Sequence, residues 1–87
     1  GNSKTMDTFI ENFIAYLGKL DTGPNGIEVQ VVASEAAVNA IDAAKHRIQQ
    51  ATGVLSFELN TRQNFLGREV DLAGEKVWIG SKKVALR

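Results

Sequence analysis

The chain has 87 residues, of which 44% are apolar, and its ten basic residues balance ten acidic ones. This length predicts a single domain, and the zero net charge argues against strong non-specific attraction to nucleic acid or to anionic lipid. The chain contains no cysteine, which excludes disulfides, thiolate metal ligands and a cysteine nucleophile.

The sequence also bears on membrane association, secretion and the extent of the domain. No apolar run approaches the roughly 20 residues that span a bilayer, and no basic start followed by an apolar block indicates a secretory signal. We therefore expect a soluble, cytoplasmic protein with no membrane partner. Residues 1–5 precede the only methionine, Met6, and are interpreted as a vector remnant, which leaves residues 6–87 as one domain.

The first structural element is predicted to be an amphipathic helix from Met6 to Leu20, because its apolar residues recur at spacings of three and four. The turn-forming residues 21–26 end it. Apolar and polar residues then alternate in Ile27–Val32, which predicts a half-buried strand.

The clearest helical pattern is the central segment from Ala33 to Gly53. Ser34 is a suitable N-cap, and Gly53 is expected to end the helix in the left-handed conformation. The apolar stripe that includes Ile41 is predicted to face the core. Val54–Asn60 alternates again, with Leu55, Phe57 and Leu59 expected inward. The sequence pattern allows Val54–Asn60 to pair with Ile27–Val32 either in parallel or antiparallel, and we favour antiparallel pairing.

The last third of the chain predicts a meander of short strands. Arg68–Leu72 and Val77–Ile79 form two strands, and Gly80-Ser81 is read as a hairpin turn into a last strand at Lys83–Arg87. The chain is thus predicted to be an α+β domain, with two helices on one face of a mainly antiparallel four- to five-stranded sheet.

The functional prediction rests on the sheet face that the helices leave uncovered. Trp78 is its only large apolar member, and an exposed tryptophan among charges is typical of an interaction hot spot. The alternative is that Trp78 packs beneath Phe65 and Leu66 of the preceding loop. Alternation places the following residues on this face: Glu28, Gln30, Val32, Ser56, Glu58, Glu69, Asp71, Trp78, Lys83, Ala85 and Arg87.

A basic cluster along the predicted last hairpin offers a second interpretation. Its members are Lys76, Lys82, Lys83 and Arg87. They can contact phosphates while Trp78 stacks on a base, which would make the chain a nucleic-acid-binding module. Lysines that protect an edge strand against aggregation give the same pattern.

The sequence marks no catalytic, metal or cofactor site. His46 follows Asp42 by four residues on the central helix, so the two side chains can meet on one face. The sequence marks no nucleophile, oxyanion site or pocket for a general base, so we interpret the two residues as a surface hydrogen bond or helix-stabilising pair. We therefore predict a non-enzymatic interaction or assembly domain. It is expected to bind a protein partner, or itself as a homo-oligomer, through the face around Trp78, with Lys76, Lys82, Lys83 and Arg87 as further contacts.

Overall fold

A computed structural model describes residues 3–63 and 67–85 of the chain. It confirms the α+β class and contains a four-stranded mixed sheet. The elements in chain order are α1 (Ser3–Gly18), β1 (Ile27–Val32), α2 (Glu35–Ala43), α3 (Lys45–Ala51), β2 (Val54–Asn60), β3 (Arg68–Leu72) and β4 (Glu75–Lys83).

The strands lie in the order β2-β1-β4-β3. β1 pairs with β2 in parallel, whereas β1 with β4 and β3 with β4 pair antiparallel. The sheet is therefore mainly antiparallel, as predicted. The prediction that β2 runs antiparallel to β1 was wrong. The two helices between these strands carry the chain back along the sheet, which is the crossover that a parallel pair requires.

The hydrophobic core lies between the helices and one face of the sheet. On α1, Phe9 and Phe13 are fully buried and their ring centroids lie 6.0 Å apart. The Phe13 ring lies at the same distance from Phe57 of β2. The sheet contributes alternate residues to this core: Ile27, Val29, Val31, Val54, Leu72, Val77 and Ile79. All three helices thus cover one face, which we call the helix side.

The predicted central helix is present but divided. α2 and α3 meet at Ala44, whose ψ of 9° departs from helical geometry, and Ile41 and Ile48 on either side of the break are both fully buried. The Ser34 cap is confirmed, because its Oγ accepts a hydrogen bond of 3.1 Å from the Ala37 N–H.

The predicted left-handed role of Gly53 was wrong. α3 ends at Ala51, Thr52 is extended, and the left-handed glycines of the described chain are Gly23, Gly26 and Gly74. Gly53 serves close packing instead, because a Cβ there would lie 2.8 Å from the Thr22 side chain.

The hairpin turn of the C-terminal region lies earlier than predicted. Ala73 and Gly74, with φ of 56° and 87°, connect β3 to β4, and Asp71 Oδ1 accepts a 2.8 Å hydrogen bond from the Gly74 N–H. Gly80 and Ser81 were wrongly predicted to turn: they lie within β4, opposite Gln30 and Val29 of β1. Pairing along the whole of β1 keeps β4 extended through this Gly-Ser pair.

One predicted core residue also lies elsewhere. The register between β1 and β2 shifts at its start, because Ile27 pairs with Val54 whereas Glu28 pairs with Ser56. Leu55 is the extra residue of this bulge, and 55% of its surface is exposed. Leu55 was therefore wrongly predicted to point inward, whereas Phe57 and Leu59 do pack against the core.

Candidate functional site

The face of the sheet opposite the helices is the candidate site, and we call it the open face. Directly opposed residues of neighbouring strands point to the same side, so the registers define its members. They are Glu28, Gln30 and Val32 of β1, Ser56, Glu58 and Asn60 of β2, Lys76, Trp78, Gly80 and Lys82 of β4, and Glu69 and Asp71 of β3.

Most of the predicted face is thus confirmed, and the differences lie in β4. Because β4 is continuous, residues an even number apart share a face, which places Lys82 on the same face as Trp78 and Lys83 on the helix side. Lys83 was therefore assigned to the wrong face. Ala85 follows the end of β4, and Arg87 lies outside the described residues.

Trp78 lies within β4, between Val32 of β1 and Glu69 of β3. It is half-buried and opposes Val32 of β1, which retains only 4% exposure although it is not part of the helix-side core. Trp78 and Val32 therefore form a small apolar cluster on an otherwise polar face. Phe65 and Leu66, which were considered as a cover for Trp78, lie outside the described residues.

Next to this cluster, a groove of about 650 Å³ runs across β2, β1 and β4. Gly80, which opposes Gln30, lines this groove and contributes no side chain, so the face is recessed there. Along β4, Trp78 and Lys82 flank this glycine on the same face. Sequence reasoning missed the groove because it placed Gly80 in a turn.

The groove carries a hydrogen-bonded carboxylate. Glu58 Oε1 accepts a hydrogen bond from Gln30 Nε2 at 3.5 Å, and Glu58 Oε2 accepts one from Asn60 Nδ2 at 3.3 Å. Glu28 lies on the neighbouring strand between Ser56 and Lys82. The groove thus offers carboxylate, amide and ammonium groups, which suit a polar or charged ligand surface.

The charges of the open face are acidic on balance. Among the described residues of the face, Glu28, Glu58, Glu69 and Asp71 oppose only two basic residues, Lys76 and Lys82. Lys76 Nζ lies 3.9 Å from Glu69 Oε2 in a salt bridge. Among the described members of the predicted basic cluster, Lys76, Lys82 and Lys83 therefore do not form one positive surface.

Lys83 has a separate structural role. Its Nζ lies 2.6 Å from Asp21 Oδ2, while Asp21 Oδ1 accepts a 3.0 Å hydrogen bond from the Gly23 N–H. The Lys83 hydrogen bond, aided by the Gly23 N–H and the Lys83 charge, lowers the pKa of Asp21 below its ordinary value. Lys83 thus ties the loop before β1 to the end of β4.

The helical pair considered for catalysis is arranged differently. The Asp42 carboxylate lies 3.6 Å from Lys45 Nζ, and the break at Ala44 separates Asp42 from the exposed His46. Within residues 3–63 and 67–85, the structure has no group of three or more His, Asp and Glu side chains that could hold a metal ion.

A search with protein-family models and with curated proteins found no match to this chain. In the part of the chain that the structure describes, no helix has the length and apolar character needed to cross a membrane.

Proposed function

We propose that this chain is a non-enzymatic interaction domain whose open face binds a protein partner. The observation that carries the proposal is the half-buried Trp78 beside a recessed, uncovered groove. A tryptophan in this position buries a large area at a small cost in side-chain entropy when a partner covers it.

The charges of the open face indicate the kind of partner. Four carboxylates against two ammonium groups favour a partner that brings basic side chains, because complementary charge speeds encounter and selects the correct surface. Self-association through this face would bring two acidic surfaces together. We therefore favour a basic segment of another protein over a second copy at this site.

Nucleic acid remains the alternative ligand, and the geometry gives it less support. Lys83 contacts Asp21 on the other side of the sheet, and Lys76 contacts Glu69. A phosphate backbone at the open face would meet more carboxylates than ammonium groups. The cytoplasmic location also stays a prediction from composition.

The experiment uses Trp78, the only tryptophan, as its probe. A lysine-rich peptide without aromatic residues and a single-stranded oligothymidine are titrated separately while Trp78 emission is recorded. We expect the peptide to change the emission and the oligothymidine to leave it unchanged. Glu28→Gln should weaken peptide binding several-fold, whereas Glu11→Gln, at an exposed position on α1, should not change it.

Two outcomes would contradict the proposal. If the oligothymidine alone changes the emission, and does so less as salt rises, the nucleic-acid alternative replaces it. If neither ligand affects Trp78 at low salt, the open face does not bind basic segments. A dilution series with a neutral quencher tests self-association separately, because a ring covered by a second copy becomes quenchable on dilution.

A further inference from the structure

The two outer strands of the sheet differ in how they protect their edges. β3 has five residues, and three of them, Arg68, Glu69 and Asp71, are charged. β2 has seven residues with one charge, Glu58, and contains neither lysine nor proline. Exposed edge strands offer unpaired backbone groups to other chains, and proteins usually guard them with charges or proline. β2 is therefore the less protected edge.

The hydrogen bonds of β2 identify the backbone groups that point away from the sheet. The Ala33 N–H donates to Asn60 O at 3.1 Å, so the backbone of Asn60 faces β1. Alternate residues direct their backbone groups to opposite sides, so Ser56 and Glu58 also face β1, whereas Phe57 and Leu59 face outward. β2 is the first strand in the sheet order, so no described strand pairs with these outward groups.

The start of β2 is partly covered. Gln49 Nε2 of α3 donates a 2.7 Å hydrogen bond to Leu55 O, on the outer side of the strand. A carbonyl oxygen has two lone pairs, so this bond leaves one acceptor position at Leu55. The bulge at Leu55 is confined to the beginning of the strand, and the register from Ser56 to Asn60 is regular.

The sequence of β2 is complementary to itself in one antiparallel register. The bulge at Leu55 turns Val54 to the helix side, whereas Asn60 lies on the open face, so residues 54 and 60 of two copies cannot pair. A two-fold axis at Phe57 overlaps residues 55–59 of two copies. It places Ser56 opposite the partner's Glu58 and the exposed Leu55 opposite the partner's Leu59. An axis at Glu58 would instead oppose two carboxylates, which destabilises a strand pair.

We propose that the chain forms a homodimer by antiparallel pairing of β2 with β2 of a second copy, with the two-fold axis at Phe57. The two Phe57 residues exchange N–H to O hydrogen bonds across the axis. The result is a continuous eight-stranded sheet, and the two-fold axis places both open faces on the same side. This inference does not depend on the proposed function of the open face.

The test is sedimentation equilibrium from low to high micromolar concentration on the wild type and on three serine variants. Ser56→Glu places a carboxylate opposite the partner's Glu58, and Ser56→Lys places an ammonium group there. Because the symmetry repeats each contact, we expect the dissociation constant to rise roughly tenfold with Ser56→Glu and to fall several-fold with Ser56→Lys. Ser81→Glu, the same charge change at an exposed position of β4, should leave it unchanged.

A second measurement locates the interface. Amide hydrogen exchange of Phe57 and Leu59 should slow as concentration rises, because these outward N–H groups become paired only in the dimer. Circular dichroism shows whether each variant is folded before its mass is interpreted. Trp78 emission should stay constant on dilution, since pairing along β2 leaves the open face uncovered.

Three results would overturn the proposal. A wild-type mass that remains monomeric at every concentration excludes the dimer. A dimer that responds equally to Ser56→Glu, Ser56→Lys and Ser81→Glu does not use this register. A dimer that shields Trp78 while the Phe57 amide keeps exchanging forms through the open face, which rejects the β2 interface and leaves binding at the open face intact.

Discussion

The two faces of this sheet begin from the same alternation of residues but have opposite chemistry. Val31 and Val32 are neighbours in β1, yet Val31 joins the core beneath the helices and Val32 lies on the open face against Trp78. The helix side carries the apolar core of the protein, whereas the open face is polar apart from this small cluster. The comparison indicates that the helix side supplies most of the stability and leaves the open face available for binding.

The largest expected loss of stability comes from a substitution in the core on the helix side. Ile41 is fully buried, so Ile41→Ala should lower the free energy of unfolding by about 2 to 5 kcal/mol through lost burial and the cavity that remains. Glu28→Ala on the open face should change it by less than about 0.5 kcal/mol. Urea denaturation of both variants checks this, and equal losses would contradict the difference between the faces.

A second prediction compares the adjacent valines. Val31→Ala and Val32→Ala each remove two buried methyl groups, so each should cost about 1 to 3 kcal/mol, with the larger loss at Val31 because the core encloses it completely. Only Val32→Ala should shift Trp78 emission to longer wavelength, since Val32 opposes that ring. An identical emission change in both variants would show that the apolar cluster is not separate from the core.

The smallest expected effect concerns Lys83, which the sequence placed on the open face. Lys83→Met removes the partner of the Asp21 carboxylate, so the pKa of Asp21 should rise toward its ordinary value while the Gly23 hydrogen bond still holds it partly down. Carbon-detected NMR titration of the Asp21 carboxyl measures this directly. An unchanged pKa would show that the contact is absent in solution.

The sign of the pH dependence follows from the same contact. Because folding lowers the pKa of Asp21, its contribution to stability is present above the unfolded pKa, at about 4, and is lost as pH falls through the folded pKa. The stability difference between wild type and Lys83→Met should therefore shrink below about pH 4. Asp21→Asn, which carries no charge to titrate, should remove this part of the pH dependence.

The sequence by itself determined the local elements of this protein. The spacing of Phe9, Phe13 and Leu17 identified α1 and its buried face, and Ser34 marked the start of α2. Alternation identified β1, β2, β3 and most of the open face. These features depend on residues within a few positions of one another, so a local pattern is sufficient to predict them.

Only the tertiary structure decided how the strands combine. The parallel pairing of β1 with β2 depends on long-range contacts that alternation does not encode, and its register contains the bulge at which Leu55 is exposed. Pairing with β1 likewise kept Gly80 and Ser81 inside β4. Because side chains alternate along a strand, a continuous β4 places Lys83 on the helix side and Lys82 on the open face. Lys82 and Gly80 then both line the groove.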